Sequence, residues 1–408
     1  MGRRVVYISY DGMEDPLGKS QVLPYLEALA ARGHQFELVS FEKPPHATHF
    51  RKVVGHGIRS TRLRYHKTPT VPATAFDMLQ GLSALSLLGL VLRADLVHVR
   101  SYVAGALALP FVIATRRPFL FDMRGLWPEE RVADGTWSET GRVFKGAKEV
   151  EKLLVKNASA ITVLTNDMAH YLRHESPFAT TIKAPIQVIP TCTNLSRFTP
   201  EVAPDPELSR VLAGHRVLAY VGSFGKRYLS TEMARFYLAW RRVAGPARFL
   251  VVSRQSPVEM QAVLDQAGVG NELVHRSAEH DQVPAFVRCA EAGVFFHPEV
   301  FANRGAAPTK MGEMLAAGLP LAGNRIGDVE EVLTRHDAGV VLEGFDDDEL
   351  TDAALRLAGL AHSPGVVTRA RRTAEEWFSL ERGVEAYDEL YQKIRWEHGF
   401  DIDRSWPR

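Results

Sequence analysis

Cysteine is almost missing from this 408-residue chain: Cys192 and Cys289 stand alone and belong to no spaced motif. That argues against a disulfide framework and a cysteine-based zinc site, and it favours a reducing, cytoplasmic setting. Long apolar runs are also missing. The longest, Leu79–Leu92, is interrupted by Gly81, Ser83, Ser86 and Gly89. It falls short of the ~20 residues that a membrane-spanning helix needs, so none is expected. The opening MGRRVVYISYDGM has a basic start but no long apolar core and no small-residue cleavage site. It reads as a first strand and not as a signal peptide. Neither half carries G-x-G-x-x-G after its first strand, which disfavours a dehydrogenase. No nucleic-acid motif or interleaved basic and aromatic pattern is present, so nucleic acid is not expected as a partner.

What is present is the composition of an ordinary globular protein, 46% hydrophobic and 24% charged. The length suits two domains of about 200 residues each. Charge is unevenly divided. Residues 1–200 hold 25 Lys and Arg against 17 Asp and Glu, and the remainder holds 24 against 31. A basic run, Arg51, Lys52, Arg59, Arg62, Arg64 and Lys67, contains no acid. A solvated surface accounts for it; attraction to an anionic membrane face or a phosphate-bearing acceptor is the functional alternative.

The first half alternates strands and helices: strand Val5–Tyr10, helix Gln21–Arg32 stopped by Gly33, strand Phe36–Phe41, then short apolar runs at Leu96–Val99, Phe119–Phe121, Ala160–Leu164 and Ile186–Ile189. Thr199–Gly214, with Pro200, Pro204 and Pro206, reads as a linker. The rhythm restarts at Val217–Val221 and continues through Phe249–Ser253, Leu273–His275, Gly293–His297, Pro320–Ala322 and Gly339–Leu342. Arg371–Trp396 reads as helical throughout. The expectation is an α/β protein of two Rossmann-like domains, residues 1–200 and 201–378, with parallel sheets facing a cleft at their strands' carboxyl ends.

Three segments fall at such strand ends. Asp11–Ser20, DGMEDPLGKS, joins the first strand to the first helix; Gly12 and Gly18 permit a sharp turn, and a helix start there can attract phosphate. A plain βα turn explains it equally well. Val221–Tyr228, VGSFGKRY, places Lys226 and Arg227 directly after two glycines, where two cations can neutralise a diphosphate. Arg304–Gly323, RGAAPTKMGEMLAAGLPLAG, starts a helix near Pro308, with Thr309 available to its first amides and Gly318 as its stop. Lys310 and Glu313 share a face. A surface salt bridge is the simple reading; a carboxylate for a ribose diol beside a cation for phosphate is the functional one.

Other signals are weaker. Asp346–Asp348 has the form of a D-x-D metal motif, but its place before an apolar helix favours a cap, so no metal site is expected. His297 and His98 end strands and read equally well as core histidines. Glu129 and Glu130, after Trp127-Pro128, suit a helix start.

P-T-K-x-x-E-x-L-A-x-G-L-P resembles the donor-site motif of family-four glycosyltransferases with the GT-B fold. YISYDGMEDPLGKSQVLPYLEALAARGH, FDMRGLWPEE, VIPTCTNLSRF and YVGSFGKRYLSTEM resemble their segments in one bacterial branch, so the likeness covers most of the chain. It implies a retaining, metal-independent transfer of a sugar from a nucleotide-sugar donor to a saccharide or lipid-linked saccharide acceptor, in polysaccharide or glycoconjugate synthesis, with no cofactor. A nucleotide-sugar epimerase and an inactive partner subunit of the same fold are the alternatives. Glu313 would bind the ribose, and Lys226 with Arg227 would stabilise the diphosphate. On the donor side stand also Pro308, Thr309, Lys310, Gly18, Gly222, Ser223 and Arg254; on the acceptor side Asp122, Glu129, His98 and Arg100. Gly305 occupies the place of a second Glu, and the amides of Gly305–Ala307 could replace it. Arg124 stands where many members have His near the reacting centre. A last helix, residues 379–408, would cross back to the first domain, with Trp396 among its bracing residues.

Overall fold

A computed structural model of the chain describes residues 2–44, 46, 51–68, 70–91, 93–224 and 227–394. Lys226 and Trp396 lie outside the described residues. In the first domain, short runs of β-branched and aromatic residues form β1 (Arg4–Ser9), β2 (Gln35–Glu42), β3 (Arg51–Gly55), β4 (Ile58–Arg64), β5 (Leu96–Arg100), β6 (Phe119–Asp122), β7 (Ala160–Val163) and β8 (Ile186–Val188). Their order is β3-β4-β2-β1-β5-β6-β7-β8, parallel throughout except for β3. The second domain has β9 (Arg216–Val221), β10 (Ala247–Val252), β11 (Leu273–Arg276), β12 (Ala292–Val294), β13 (Leu321–Asn324) and β14 (Gly339–Leu342). All are parallel, in the order β11-β10-β9-β12-β13-β14.

Both sheets are wound outward from their first strand and then restart on its other side. β1 lies between β2 and β5, and β9 lies between β10 and β12. A crevice opens at the carboxyl end of each such pair, because the connecting helices diverge to opposite faces. The topology therefore points to the loops after β1, β5, β9 and β12.

One face of the first sheet is covered by helices Thr70–Val91, Ser101–Thr115 and Arg142–Asn157, through Leu85, Leu107, Phe111 and Leu154. The other face is covered by Leu23–Ala31 and by the last helix, Leu380–Lys393, whose Val384, Tyr387, Leu390 and Tyr391 pack on Tyr7, Leu29 and Phe36. Hydrogen bonds fix that return: Arg3 Nε donates to Tyr391 O at 3.1 Å, and His34 Nε2 meets Asp388 Oδ1 at 2.9 Å. The chain crosses between domains at two adjacent places, bridged by Thr193 N to Phe378 O at 2.7 Å and Leu380 N to Thr193 O at 3.2 Å.

Several sequence expectations change. The presumed linker contains a helix, Pro206–Leu212, because the Asp205 carboxylate caps the Leu208 amide at 2.7 Å and Pro206 suits the first turn. Gln21–Arg32 is two helices, Pro16–Gln21 and Leu23–Ala31, broken at Val22. Arg371–Trp396 is interrupted after Trp377, where the Ser379 side chain caps a new helix. The cap expected at Asp346 is present: its side chain accepts from Glu349 N at 2.9 Å. The apolar run Leu79–Leu92 belongs largely to a 22-residue helix, Thr70–Val91. Pro72–Leu90 has the length and apolar composition of a membrane-crossing helix, a test that core helices also pass. One side of it is nevertheless packed on the sheet through Ala73, Leu85 and Leu88.

Candidate functional site

Helix Thr309–Ala316 is enclosed by the second domain, with every residue from Lys310 to Ala316 buried. Met314 and Leu315 anchor it in the core, and no side chain caps its first turn. Pro308 sits at the cap position in extended geometry, so Thr309, and not Pro308, opens the helix. The surface salt bridge is ruled out: Lys310 and Glu313 both point into the protein, and each has another partner. Glu313 Oε1 lies 2.9 Å from His280 Nε2. Lys310 Nζ donates to Tyr220 Oη at 3.0 Å and sits 4.4 Å and 4.2 Å from the ring centroids of Tyr220 and Tyr228. Burial pulls its amine down to about 7, with the Glu313 charge opposing.

The loop after β9 closes over this lysine. Gly222 has φ +136, which favours glycine, and a side chain there would begin 2.6 Å from Lys310 Nζ and displace the amine. Ser223 offers its carbonyl to Tyr220 Oη, and Phe224 N donates to Gln255 Oε1 at 2.6 Å. His297 stands beside the same group. Asn324 holds its backbone from both sides, N to Oδ1 at 3.0 Å and Nδ2 to O at 2.9 Å. The His297 ring packs 5.0 Å from Tyr228, and its buried Nε2 has no hydrogen-bond partner among the described residues. Burial, followed by the charge of Lys310, takes its pKa to about 3, so the ring is neutral. Arg254 lies on the exposed rim, paired with Glu279.

The first-domain candidates divide differently. Asp122, at the end of β6, accepts from Thr162 Oγ1 at 2.9 Å and lies 3.6 Å from Arg100 Nη1 and 3.8 Å from Arg124 Nη1. Arg100 also donates to Asp11 Oδ2 at 3.4 Å, and Arg124 to Gln21 Oε1 at 3.3 Å. Burial is the largest influence and works against the Arg124 charge, but Asp122 together with Tyr387, Tyr25 and Tyr7 holds the guanidinium above its ordinary pKa. With Tyr7, Tyr25 and Tyr387 these groups line a small enclosed space. Asp122, Arg100 and Arg124 thus form an interior charge cluster, not free groups at a reacting centre. Ser101, directly after Arg100, has φ +68, a strained conformation for a side-chain-bearing residue at the β1–β5 crevice.

His98 does not face the cleft. It is enclosed by Tyr7, Tyr387 and Tyr391, and its Nδ1 meets Tyr391 Oη at 2.6 Å. Glu129 is engaged within the first domain, where it accepts from Lys148 Nζ at 2.6 Å. Its neighbour Glu130 is the one that reaches across, to Arg227 Nη2 at 2.9 Å. Gly18 is buried, and a side chain there would begin 2.2 Å from Gly12 O, so it serves close packing of the β1 loop. That loop is not an open phosphate cradle: the buried Glu42 carboxylate already accepts from Met13 N at 2.7 Å and Glu14 N at 3.4 Å.

The segment before the lysine helix meets the first domain. A Cβ on Gly305 would lie 2.7 Å from Met168 Sδ and 3.2 Å from Gly125 Cα, so a larger residue there would have to displace Met168 and press on the Gly125 backbone. The Ala306 amide is already bonded to Asn303 O at 3.1 Å, so it is not a free substitute for a missing carboxylate. Arg304 pairs with Asp167 at 2.6 Å and Glu175 at 2.6 Å and lies over the rings of Tyr171 and Phe301. Asp328 caps a first-domain helix, Asn166–His170, accepting from Asn166 N at 2.6 Å and Asp167 N at 3.1 Å. Sequence reasoning missed Tyr220, Tyr228, His280, Glu42 and Asp328. Of these only the tyrosines, flanking the VGSFGKR loop, carried a local signal.

A buried lysine beside a positive-φ glycine loop and an uncapped helix start is suited to an anion such as phosphate. A carboxylate one turn further on is suited to hydroxyl donors. Among the described residues no cluster of three His, Cys, Asp or Glu side chains is placed to hold a metal ion.

Residues 19–191 match the family model of the glycosyl transferase 4-like domain, and residues 215–359 match that of the glycosyl transferases group 1. Comparison with curated protein sequences finds no match. Among solved structures, a sucrose-phosphate synthase from Thermosynechococcus elongatus superposes with a TM-score of 0.73 at 16% identity, over 96% of this chain and 99% of that one. WaaG, a glycosyltransferase involved in lipopolysaccharide biosynthesis, gives 0.67 at 17%, over 95% and 100%. Anabaena HepE in complex with UDP and glucose gives 0.65 at 12%, over 96% and 100%. At these identities the structures speak for the fold, while the two family matches, one in each domain, speak for the lineage: the chain belongs to the group 1 glycosyltransferases and has the GT-B fold.

Proposed function

We propose that this glycosyltransferase transfers a hexosyl group with retention of configuration, from a nucleoside-diphosphate sugar to an acceptor hydroxyl, without a metal ion or cofactor. Bacterial polysaccharide or glycoconjugate synthesis is the process that suits it, with a saccharide or lipid-linked saccharide as acceptor. Free thiols at Cys192 and Cys289 suit a cytoplasmic site of action. The observation that carries the reading is Lys310: an amine buried between two tyrosines, against Gly222, one helical turn from Glu313.

In this reading the donor diphosphate accepts hydrogen bonds from Lys310 Nζ and from the first amides of helix Thr309–Ala316. Arg227, and Lys226 beside it, add positive charge once Arg227 leaves Glu130. The ribose hydroxyls donate to Glu313 in place of His280. As the anomeric C–O bond breaks, its electron pair goes to the diphosphate, where these donors meet the growing charge. The acceptor oxygen bonds to the anomeric carbon from the same face and passes its proton to a phosphate oxygen. No protein nucleophile is needed. The apposed domains exclude water, which limits hydrolysis. The Nε2 of neutral His297, next to Lys310 and without a partner among the described residues, is available to a donor hydroxyl.

A thermal-shift screen with uridine, guanosine, adenosine and thymidine diphosphates comes first, since a ligand that binds only the folded state raises Tm. UDP leads because the structures of HepE and of an E. coli trehalose-6-phosphate enzyme hold UDP or a UDP-sugar analogue. No shift with any diphosphate would sink the proposal. Product NMR then reads the anomeric configuration, and inversion would remove the retaining assignment. Turnover of donor alone to an epimeric nucleotide sugar would favour an epimerase.

A further inference from the structure

A helix that is apolar all round belongs either in a core or in a membrane environment. Thr70–Val91 meets this description on its described positions, yet only one side is covered. Asp77, Leu85 and Leu88 face inward, while Phe76, Leu79, Leu87 and Leu90 are each more than half exposed. At 100° per residue these four and Ser83 fall within an arc of about 80°, so they form one stripe. Ile113, on the adjacent helix Ser101–Thr115, is also more than half exposed. Single exposed apolar residues need no explanation, but a stripe along four turns of one helix does.

The charges around the stripe have one sign. Arg64 and Lys67 precede the helix, and Arg93 and Arg116 stand beyond its far end. All four are exposed and carry no ion pair among the described residues. From residue 64 to residue 116 the chain has only two acids. Asp77 is fully buried and holds Tyr10 Oη at 2.9 Å and His66 Nδ1 at 2.6 Å, and Asp95 is paired with Arg4. Within this segment, therefore, no described carboxylate is exposed to oppose a negative surface. In contrast, Arg59 and Arg62 of the basic run are neutralised by Glu37 and Glu14.

We propose that this face docks on an anionic lipid bilayer, with helix Thr70–Val91 lying in the plane of the headgroups. Its apolar stripe enters the acyl boundary and the four cations meet lipid phosphates. The helix does not span, because its inner side is committed to the sheet. Tyr10 follows β1, and through Asp77 it ties the beginning of the helix to the crevice at the β1 end. Resting on the glycosyltransfer reading, this orientation presents a lipid-anchored acceptor to the mouth of the cleft.

The test uses the full chain and vesicle flotation, with phosphatidylcholine vesicles alone and with roughly a third phosphatidylglycerol. Binding is expected to the anionic vesicles only, and to weaken at high salt. Leu79→Asp with Leu87→Asp should lower binding by about tenfold or more, since both apolar area and charge matching are lost. Arg64→Gln with Lys67→Gln should lessen the preference for anionic lipid. All four positions are exposed, so Tm and the nucleotide-induced Tm shift should match the parent; these readouts separate failure of docking from failure of the donor-site reading. Equal binding by the aspartate variant overturns the proposal, as does absence of vesicle binding. A concentration-dependent dimer that the aspartates dissolve, without vesicle binding, assigns the face to a second copy and also overturns it.

Discussion

Lys310 and Glu313 stand one turn apart on one buried helix and do not pair: the carboxylate turns to His280, and the amine turns to Tyr220. A lysine buried without its nearest carboxylate is costly to keep charged, and its pKa of about 7 expresses that cost. In the unfolded chain the same amine holds its proton to about 10.4. Between these values the unfolded chain carries the extra proton, so stability rises with pH across that window. Lys310→Met removes this titration. It should stabilise the ligand-free protein near and below pH 7, each unit of pKa depression being worth ~1.4 kcal/mol, and the gain should fade towards pH 10. Tm measured against pH for both proteins checks it, and turnover of the variant should fall sharply.

Donor binding should show the reverse coupling. A diphosphate favours the charged amine, so above pH 7 binding draws in a proton. Affinity for the intact nucleotide sugar should be level below pH 7 and weaken by up to about tenfold per pH unit above it. Calorimetry in buffers of different ionisation enthalpy reads the proton directly. An affinity that does not change between pH 7 and 9 would remove Lys310 from the diphosphate.

Restoring the carboxylate that the family resemblance suggests is expected to harm this protein. Gly305→Glu would drive a side chain into Met168 and against the Gly125 backbone. The domains would have to separate to admit it. Lower turnover and a larger radius of gyration by small-angle scattering are the expected results; higher turnover with unchanged dimensions would contradict them.

Asp328→Ala leaves the Asn166 and Asp167 amides without their acceptor. Loss of such a cap typically costs ~1 kcal/mol. Arg304→Ala removes contacts to Asp167 and Glu175 on the same contact surface. The two losses should be coupled, because both partners sit on one short helical segment. Chemical denaturation of the single and double variants measures the coupling.

Tyr391→Phe deletes the hydroxyl bonded to His98 Nδ1, in a ring whose Nε2 has no partner among the described residues. A loss of ~1–2 kcal/mol of stability is expected, with nucleotide affinity unchanged. A fall in affinity without a fall in stability would return His98 to the ligand site.

The alternating plan and the Pro308–Glu313 segment could be read from the chain because both depend on local order: short apolar strands, helical spacing and a proline near a helix start. β3 and β4 escaped notice because Arg51, Lys52, Arg59, Arg62 and Arg64 hide the apolar Ile58 and Leu63 that face inward. The pairing of β4 is decided by β2, a distant segment. In the site, spacing put Lys310 and Glu313 on one face but said nothing of Tyr220, 90 residues earlier, which accepts the amine's hydrogen bond. Glu129 falls in the first turn of its helix as expected, whereas His98 lies in the middle of β5 and not at its end. Their orientation depends on Tyr391 and Lys148, which local pattern does not reveal.

The paired crossings at Thr193 and Ser379 limit how the enzyme can move. Two covalent connections lie side by side and are cross-linked by backbone hydrogen bonds to Phe378 and Leu380. Like a door hung on two pins, the domains can swing about the line through that bridge, but sliding or twisting would tear it. Entry of donor and release of product then share one axis, and the Arg304 and Asp328 contacts act as the latch on the free edge.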